Sequence, residues 1–256
     1  MGTVISEEFS KAFKSKLSRI YMIGIVSLCI IANIAVVGFR MIYGSNEGTF
    51  AYNIIEYATW CFFLPYYTCI VIADIGLGGT VAEAEQRRLD KGISRTTLYL
   101  SKLLLSILLA LVYLVITSVS LLVITGLFHF SDGTIRLGDI SDFFEKLLYA
   151  IPLWLAGIGI GNMFLFLFAD KRKAYLAFLG LTVVFERAVM LLAAEPFQLA
   201  LFRSIRTITV TQQFYLIPYP ADPARNIPLT IFLGFLYLIL STAIGLYFYR
   251  GKDQEG

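Results

Sequence analysis

The run LLLSILLALVYLVITSVSLLVITGLF, residues 103–128, decides the fold class of this chain. It contains no charged side chain and is longer than the ~20 apolar residues that cross the ~30 Å hydrocarbon core of a bilayer. Because such runs are continuously apolar rather than alternating, they predict transmembrane helices and not the strands of a barrel. Five further, predominantly apolar stretches occupy residues 20–39, 54–75, 147–169, 174–194 and 229–249.

The composition of the whole chain agrees with an integral membrane protein. Only 15% of its 256 residues are charged, and its mean hydropathy is +0.76. Soluble domains contain about 25% charged residues, so this composition excludes a disordered chain, a secreted disulfide scaffold and a nucleic-acid-binding domain. We predict an all-α membrane protein with six transmembrane helices, and we expect no nucleic-acid partner.

The distribution of lysine and arginine predicts how the six spans are oriented. Fourteen of these residues lie in segments on the side of the amino terminus, six lie on the opposite side, and Arg187 lies within a span. Because cytoplasmic loops carry the excess of positive charge, we predict that both termini are cytoplasmic. The net charge of +3 is in this interpretation a signal of topology.

An amphipathic pattern precedes the first span, over residues 4–19. Phe9, Phe13 and Leu17 recur every four residues and so lie on one face of a helix, while lysines occupy the other face. An aromatic face opposite a basic one is typical of a helix that lies in the membrane interface, in contact with lipid. The alternative is a basic flank that only orients the first span.

The loop between the second and third spans, residues 78–98, is the most informative polar segment. A helix there would be too polar to enter a membrane, because Glu83, Glu85 and neighbouring arginines dominate it. It would also have an apolar ridge that a cytoplasmic partner could contact, although a solvated surface helix without a partner is an alternative. The ridge consists of Val81, Ala82, Ala84, Leu89 and Ile93.

Several short motifs follow one another around this loop. They are an acidic residue, a Gly-Thr pair, a Gly-x-Ser-Arg motif, an aromatic residue and a Ser-Lys-Leu motif. Together they resemble the cytoplasmic loop of ABC transporter permeases of the type-2 exporter class, especially the short six-span permeases of Gram-positive bacteria. The motifs occur here as Asp74, Gly79-Thr80, Gly92-Ile93-Ser94-Arg95, Tyr99 and Ser101-Lys102-Leu103.

The resemblance implies a single permease domain over residues 1–256, in which residues 78–98 form the coupling helix for a separate cytosolic ATPase. It also implies a second permease copy or a similar chain as partner, and ATP and Mg²⁺ bound only by the ATPase. A bacterial plasma membrane, export of peptides or amphipathic antimicrobial compounds, and small outer re-entrant helices over residues 195–228 follow from the same resemblance. The residues to which it assigns ATPase coupling are Thr80, Val81, Glu83, Glu85, Leu89, Arg95 and Lys102.

The fifth span carries two adjacent charged residues, Glu186 and Arg187, near the middle of the bilayer. Each charge at that depth costs about 2.5–3.5 kcal/mol on insertion scales. Three interpretations are open. The pair marks a polar point on the substrate path, or neighbouring helices satisfy both charges, or the span ends early and the re-entrant region begins here.

Residue patterns for catalysis or metal binding do not occur in the sequence. It contains one histidine, three cysteines without metal-ligand spacing, and no phosphate-binding loop. We therefore expect no enzymatic activity, metal or cofactor in this chain itself. The alternative function is an ion-coupled secondary transporter, but the sequence shows no inverted repeat that would support it. A phosphate-loop ATPase encoded by the neighbouring reading frame would favour the exporter.

Overall fold

The structure is a computed structural model that describes residues 2–43, 50–129, 136–168, 170–195 and 197–251. Within these ranges all regular structure is helical, which confirms the predicted all-α class. A π-helical segment, Gly180–Phe185, separates two of the α-helices. In chain order the α-helices are α1 Gly2–Phe13, α2 Lys16–Tyr43, α3 Phe50–Trp60, α4 Phe63–Leu77, α5 Val81–Lys91, α6 Arg95–Phe128, α7 Leu137–Leu167, α8 Lys171–Leu179, α9 Glu186–Ala193, α10 Ala200–Ile208, α11 Val210–Leu216 and α12 Ile227–Gly251.

Six helical stretches are long and apolar enough to cross a membrane, so the chain is a multi-pass membrane protein, as predicted. The first, third, fourth and sixth stretches contain the single helices α2, α6, α7 and α12, and the fifth runs through α8 and α9. The apolar part of the second is α4, whose 15 residues extend only about 22 Å at 1.5 Å per residue. We infer that α3 supplies the remaining length of this span.

The second span is interrupted between α3 and α4, whereas the sequence predicted one continuous helix. Pro65 explains the break, because in a continuous helix its ring would collide with the carbonyl of Cys61 and would offer it no N–H. The indole N–H of Trp154 on α7 donates to the carbonyl of Phe62 at 2.8 Å, next to the break. Such a side-chain bond stabilises irregular backbone at membrane depth, where water is absent.

The central helix of the bundle is α7, which packs along α12 and against α4. Two of its glycines allow α4 to come close. A Cβ atom at Gly161 would lie 2.9 Å from the Cα atom of Ile70, and one at Gly157 would lie 2.7 Å from the ring of Tyr66. Small residues at such positions let transmembrane helices approach closely and gain van der Waals contacts.

The amino-terminal helix is shorter than the predicted range 4–19, because α1 ends at Phe13. The hydroxyl of Ser15 accepts a hydrogen bond from the backbone N–H of Ser18 at 3.2 Å. Ser15 therefore caps the start of α2, and a new helix begins there. The prediction that Leu17 shares a helix with the aromatic residues of α1 is wrong, because Leu17 belongs to α2.

The aromatic face of α1 packs against the chain itself. The rings of Phe9 and Phe13 are stacked with centroids 6.1 Å apart, and Phe13 lies 6.2 Å from the ring of Tyr113 on α6. Both phenylalanines belong to a cluster that includes Ile75 of α4 and Leu109 of α6. The predicted apolar face therefore exists, and it covers the adjacent parts of α4 and α6.

Two short helices, α10 and α11, lie in the connection between the fifth and sixth spans, within the predicted range 195–228. α11 is buried against its neighbours, and the side chain of Gln213 on it bonds to the carbonyl of Thr207 at 2.6 Å and to the hydroxyl of Thr230 at 2.7 Å. α10 has no buried residue. The connection thus contains one buried helix and one surface helix.

We predict that Gly161→Ala lowers the free energy of unfolding by about 1–3 kcal/mol, the usual cost of overpacking. The added methyl group would meet the backbone of Ile70, which cannot rotate away. The matched control is Gly126→Ala, because nothing lies within 4 Å of a Cβ atom at Gly126. Thermal unfolding of the detergent-solubilised protein measures both variants, and equal melting temperatures for the two would contradict the prediction.

Candidate functional site

The polar helix α5 connects the end of α4 to the start of α6. Gly78 and Gly79 have φ angles of 67° and 142°, the left-handed region that favours glycine, and they turn the chain out of α4. Thr80 and Glu83 then form a reciprocal capping box. The Thr80 hydroxyl accepts from the Glu83 backbone N–H at 3.2 Å, and the Glu83 carboxylate accepts from the Thr80 backbone N–H at 3.3 Å. These two predicted coupling residues therefore start α5.

Arg95 ties α5 to two of the spans. Its side chain forms an ion pair with Glu85 of α5 at 3.1 Å, and its guanidinium carbon lies 5.6 Å from the centre of the Tyr249 ring on α12. Arg95 is also the first residue of α6, whose N-cap residue Ser94 accepts a hydrogen bond from the backbone N–H of Thr97. The structure thus brings the predicted residues Glu85 and Arg95 together, and it links α5, α6 and α12 through one side chain.

Part of the predicted apolar stripe contacts the rest of the chain, and its last member, Ile93, follows the end of α5. Ala84 is buried, and Val81 and Ile93 pack against the main hydrophobic core. The prediction of a ridge for a partner is therefore wrong for Ala84, which the chain itself covers. Val81 and Ile93 are half-buried, and their contact with a partner stays a prediction. Leu89 differs, since it is 67% exposed. Among the side chains of α5 that the structure describes, the exposed ones are Ala82, Glu83, Gln86, Arg87, Leu89 and Asp90.

Ion pairs join the spans beside α5 to two further helices. The ammonium group of Lys102 on α6 donates to the carboxylate of Glu8 on α1 at 3.0 Å. At the end of α4, the carboxylate of Asp74 accepts from the ammonium of Lys171 and, at 3.2 Å, from the hydroxyl of Tyr175. Lys102 and Asp74 are buried, so these pairs are less screened by water than surface pairs. Lys102 is therefore buried inside the bundle, on α6, and does not contribute to the exposed surface of α5.

Glu186 is buried where α4, α9 and α11 meet. One of its carboxylate oxygens accepts from the hydroxyl of Tyr66 on α4 at 3.0 Å, and the other accepts from the backbone N–H of Thr211 at 2.7 Å. Thr211 lies in the first turn of α11, where the N–H groups have no partner within the helix. The carboxylate therefore caps α11 and joins it to α4 and α9.

Arg187 lies in a different, aromatic environment and is half-buried. Its guanidinium donates to the hydroxyl of Tyr215 at 2.7 Å and lies 5.2 Å from the centre of the Phe63 ring and 5.4 Å from that of Tyr215. Neighbouring residues on a helix point about 100° apart. Among the described residues, no ion pair within 4 Å joins Glu186 and Arg187.

The surroundings of this pair separate the three interpretations of the charges. α9 continues from Glu186 to Ala193 within an apolar stretch long enough to span, which favours a span that runs past the pair over one that ends early. Both charged side chains have partners on neighbouring elements, as the second interpretation requires. A place on a substrate path stays a prediction, and Arg187 is the more accessible of the two residues.

Sequence reasoning missed the elements that position Glu186. The π-helical segment Gly180–Phe185 directly precedes it and changes the direction in which α9 presents its side chains. Its hydrogen-bond partner Tyr66 is 120 residues away along the chain. The sequence signal for these partners is that tyrosines and threonines interrupt otherwise apolar segments. This signal does not identify which of them contacts Glu186.

Comparison of the chain with protein-family models gives no match, and comparison with curated proteins gives none. The class of this chain rests on its own fold and site: it is a multi-pass all-α membrane protein with a polar helix between its second and third spans.

We predict that Tyr66→Phe lowers the melting temperature of the solubilised protein. The change removes the hydrogen bond that the Tyr66 hydroxyl donates to the buried carboxylate of Glu186, and an unsatisfied buried acceptor costs about 1–3 kcal/mol. The control is Tyr247→Phe, because Tyr247 is 75% exposed and its loss of a hydroxyl leaves no buried group unpaired. Equal stability of the two variants would show that Glu186 does not depend on Tyr66.

Proposed function

We propose that this chain is the membrane-spanning permease subunit of an ATP-driven exporter, and that a separate cytosolic ATPase powers it. The observation that carries the proposal is α5, a short capped helix between the ends of two spans that exposes Leu89. A rigid helix in this position can pass the movement of a soluble partner on to α4 and α6. The resemblance of residues 74–103 to the loop of type-2 ABC permeases supports the same function.

The contacts around α5 explain how such a movement would spread. α5 is tied to α12 through Arg95, and the spans on either side of it are tied to α1 through Lys102 and to α8 through Asp74. A displacement of α5 would therefore act on several helices at once. In this proposal ATP and Mg²⁺ bind to the ATPase, and two permease copies, or this chain with a similar one, enclose the path.

The exposed residues of α10 support the proposal that a cap covers the outer end of that path. α10 exposes the apolar residues Leu201 and Ile208 together with the basic residue Arg203. A surface helix with apolar and basic residues suits a membrane interface. In our proposal α10 and α11 form the re-entrant region at the outer leaflet, and α1 lies at the cytoplasmic interface in contact with lipid. Peptides and amphipathic antimicrobial compounds are the proposed substrates.

The test is purification of the tagged full chain from the membranes of its host, followed by mass spectrometry and a measurement of ATP hydrolysis. We expect a phosphate-loop ATPase to co-purify with the unaltered chain. Leu89→Asp should remove most of this ATPase and its hydrolysis, because a charged group replaces the apolar contact. The melting temperature should change little, since Leu89 is exposed.

The matched control is Leu137→Asp, at a residue that is 86% exposed at the opposite end of the bundle. This variant should retain the ATPase. Absence of any phosphate-loop ATPase from the unaltered complex would overturn the proposal, and so would normal hydrolysis in Leu89→Asp. Transport driven by an ion gradient without ATP would support the secondary transporter instead.

The orientation has its own test, which labels cysteines in a variant whose three native cysteines are replaced. Ala221 and Gln86 are both exposed, one near the outer helices and one on α5. We predict that a cysteine at Ala221 reacts with a membrane-impermeant thiol reagent added to intact cells, and that one at Gln86 reacts only after lysis. Labelling of Gln86 from outside would invert the topology and contradict the cytoplasmic position of α5.

A further inference from the structure

The first span, α2, leaves a long groove between itself and the rest of the bundle. The groove has a volume of about 560 Å³, and α3, α4, α6 and α7 form its other walls. α2 contributes one helical face to it, with residues at positions 21, 24, 25, 28, 29, 32 and 36. Leu28 and Leu111 line the groove and are exposed, so it opens on the side of the bundle, within the membrane-spanning region.

The walls of the groove are almost entirely apolar. The hydroxyl groups of Tyr21 and Thr68, which line it, bond to each other at 3.0 Å, and the hydroxyl of Thr117 donates to a backbone carbonyl at 2.7 Å. These polar groups are therefore already paired. A polar ligand would lose its hydrogen bonds to water on entering such a groove and would gain few in return.

Small residues create the space. Gly24 and Ala32 on α2, Ala58 on α3 and Ala110 on α6 all line the groove. A Cβ atom at Gly24 would have nothing within 4 Å. An apolar occupant of this space would gain dispersion contacts with its lining. Its volume lies in the range of roughly 300–1,000 Å³ that is typical of ligand sites.

We propose that this groove is a binding site for the hydrocarbon chain of a membrane lipid. The occupant has to be apolar and has to reach the site from the side of the bundle, where the surrounding solvent is lipid hydrocarbon. An acyl chain meets both conditions. It would fill the gap between α2 and the wall that α3, α4, α6 and α7 form. The site is independent of the proposed export function, because it requires neither α5 nor an ATPase.

The two tryptophans of the chain provide a direct reporter. Trp154 lines the groove and is only 8% exposed, whereas Trp60 lies on α3 and stacks on Tyr219. In the variant Trp60→Phe, the fluorescence of the remaining Trp154 reports on the groove. This protein is reconstituted in bilayers of phosphatidylcholine with brominated acyl chains, which quench tryptophan on contact.

We expect strong quenching of Trp154 despite its burial. The added pair Gly24→Leu and Ala32→Leu fills the α2 wall, and it should reduce the quenching by at least about half, because the leucines take the place of the chain. Gly24→Leu alone should give a smaller reduction of the quenching. This single variant replaces the pair in the test if the pair does not fold. The control pair Gly38→Leu and Gly126→Leu should leave the quenching unchanged, because both positions are open and neither lines the groove.

Three results would overturn the proposal. The first is equal fluorescence of Trp154 in brominated and unbrominated bilayers. The second is quenching that the filled variant retains in full, which would indicate lipid contact outside the groove. The third is an unquenched Trp154 together with disulfide-linked dimers of a cysteine variant at Leu28, which would identify a second copy of the chain as the occupant.

Discussion

The close approach of α7 to its neighbours is the constraint on which the rest of the structure depends. Between helices in a bilayer there is no hydrophobic driving force, so contact distance decides how much van der Waals energy they gain. Gly157 and Gly161 remove side chains where α4 passes, and Gly234 does so on α12, where a Cβ atom would lie 2.5 Å from the carbonyl carbon of Pro152. Only at this distance does Trp154 reach the carbonyl of Phe62.

The position of α4 in turn connects the two ends of the molecule. Its last turn contains Asp74, which bonds to α8, and two glycines later the chain enters α5. One turn from its start, Tyr66 bonds to Glu186, which also caps α11. In the function we propose, α4 is therefore the element that would pass movement at the polar helix to the outer helices, through hydrogen bonds that are shielded from water.

The first span has a different relation to the bundle. α2 packs mainly against α6, and small residues along its inner face leave the groove next to α4 and α7. A helix held by few close contacts adapts more easily than α7, because each close contact that is absent removes a constraint on its position. In our proposal lipid hydrocarbon completes this part of the packing.

The sequence by itself determined the number and type of the spans, because a transmembrane helix satisfies its backbone hydrogen bonds within its own segment, whatever its neighbours are. The cap of α5 at Thr80 and Glu83 is also a local feature, since these groups are only three residues apart, but it was observed only in the structure. Only the tertiary structure decided that Glu186 bonds to Tyr66, and that Val81 and Ala84 face inward while Leu89 is exposed. These features depend on contacts between segments that are distant along the chain, and apolar or polar character alone does not specify which segments meet.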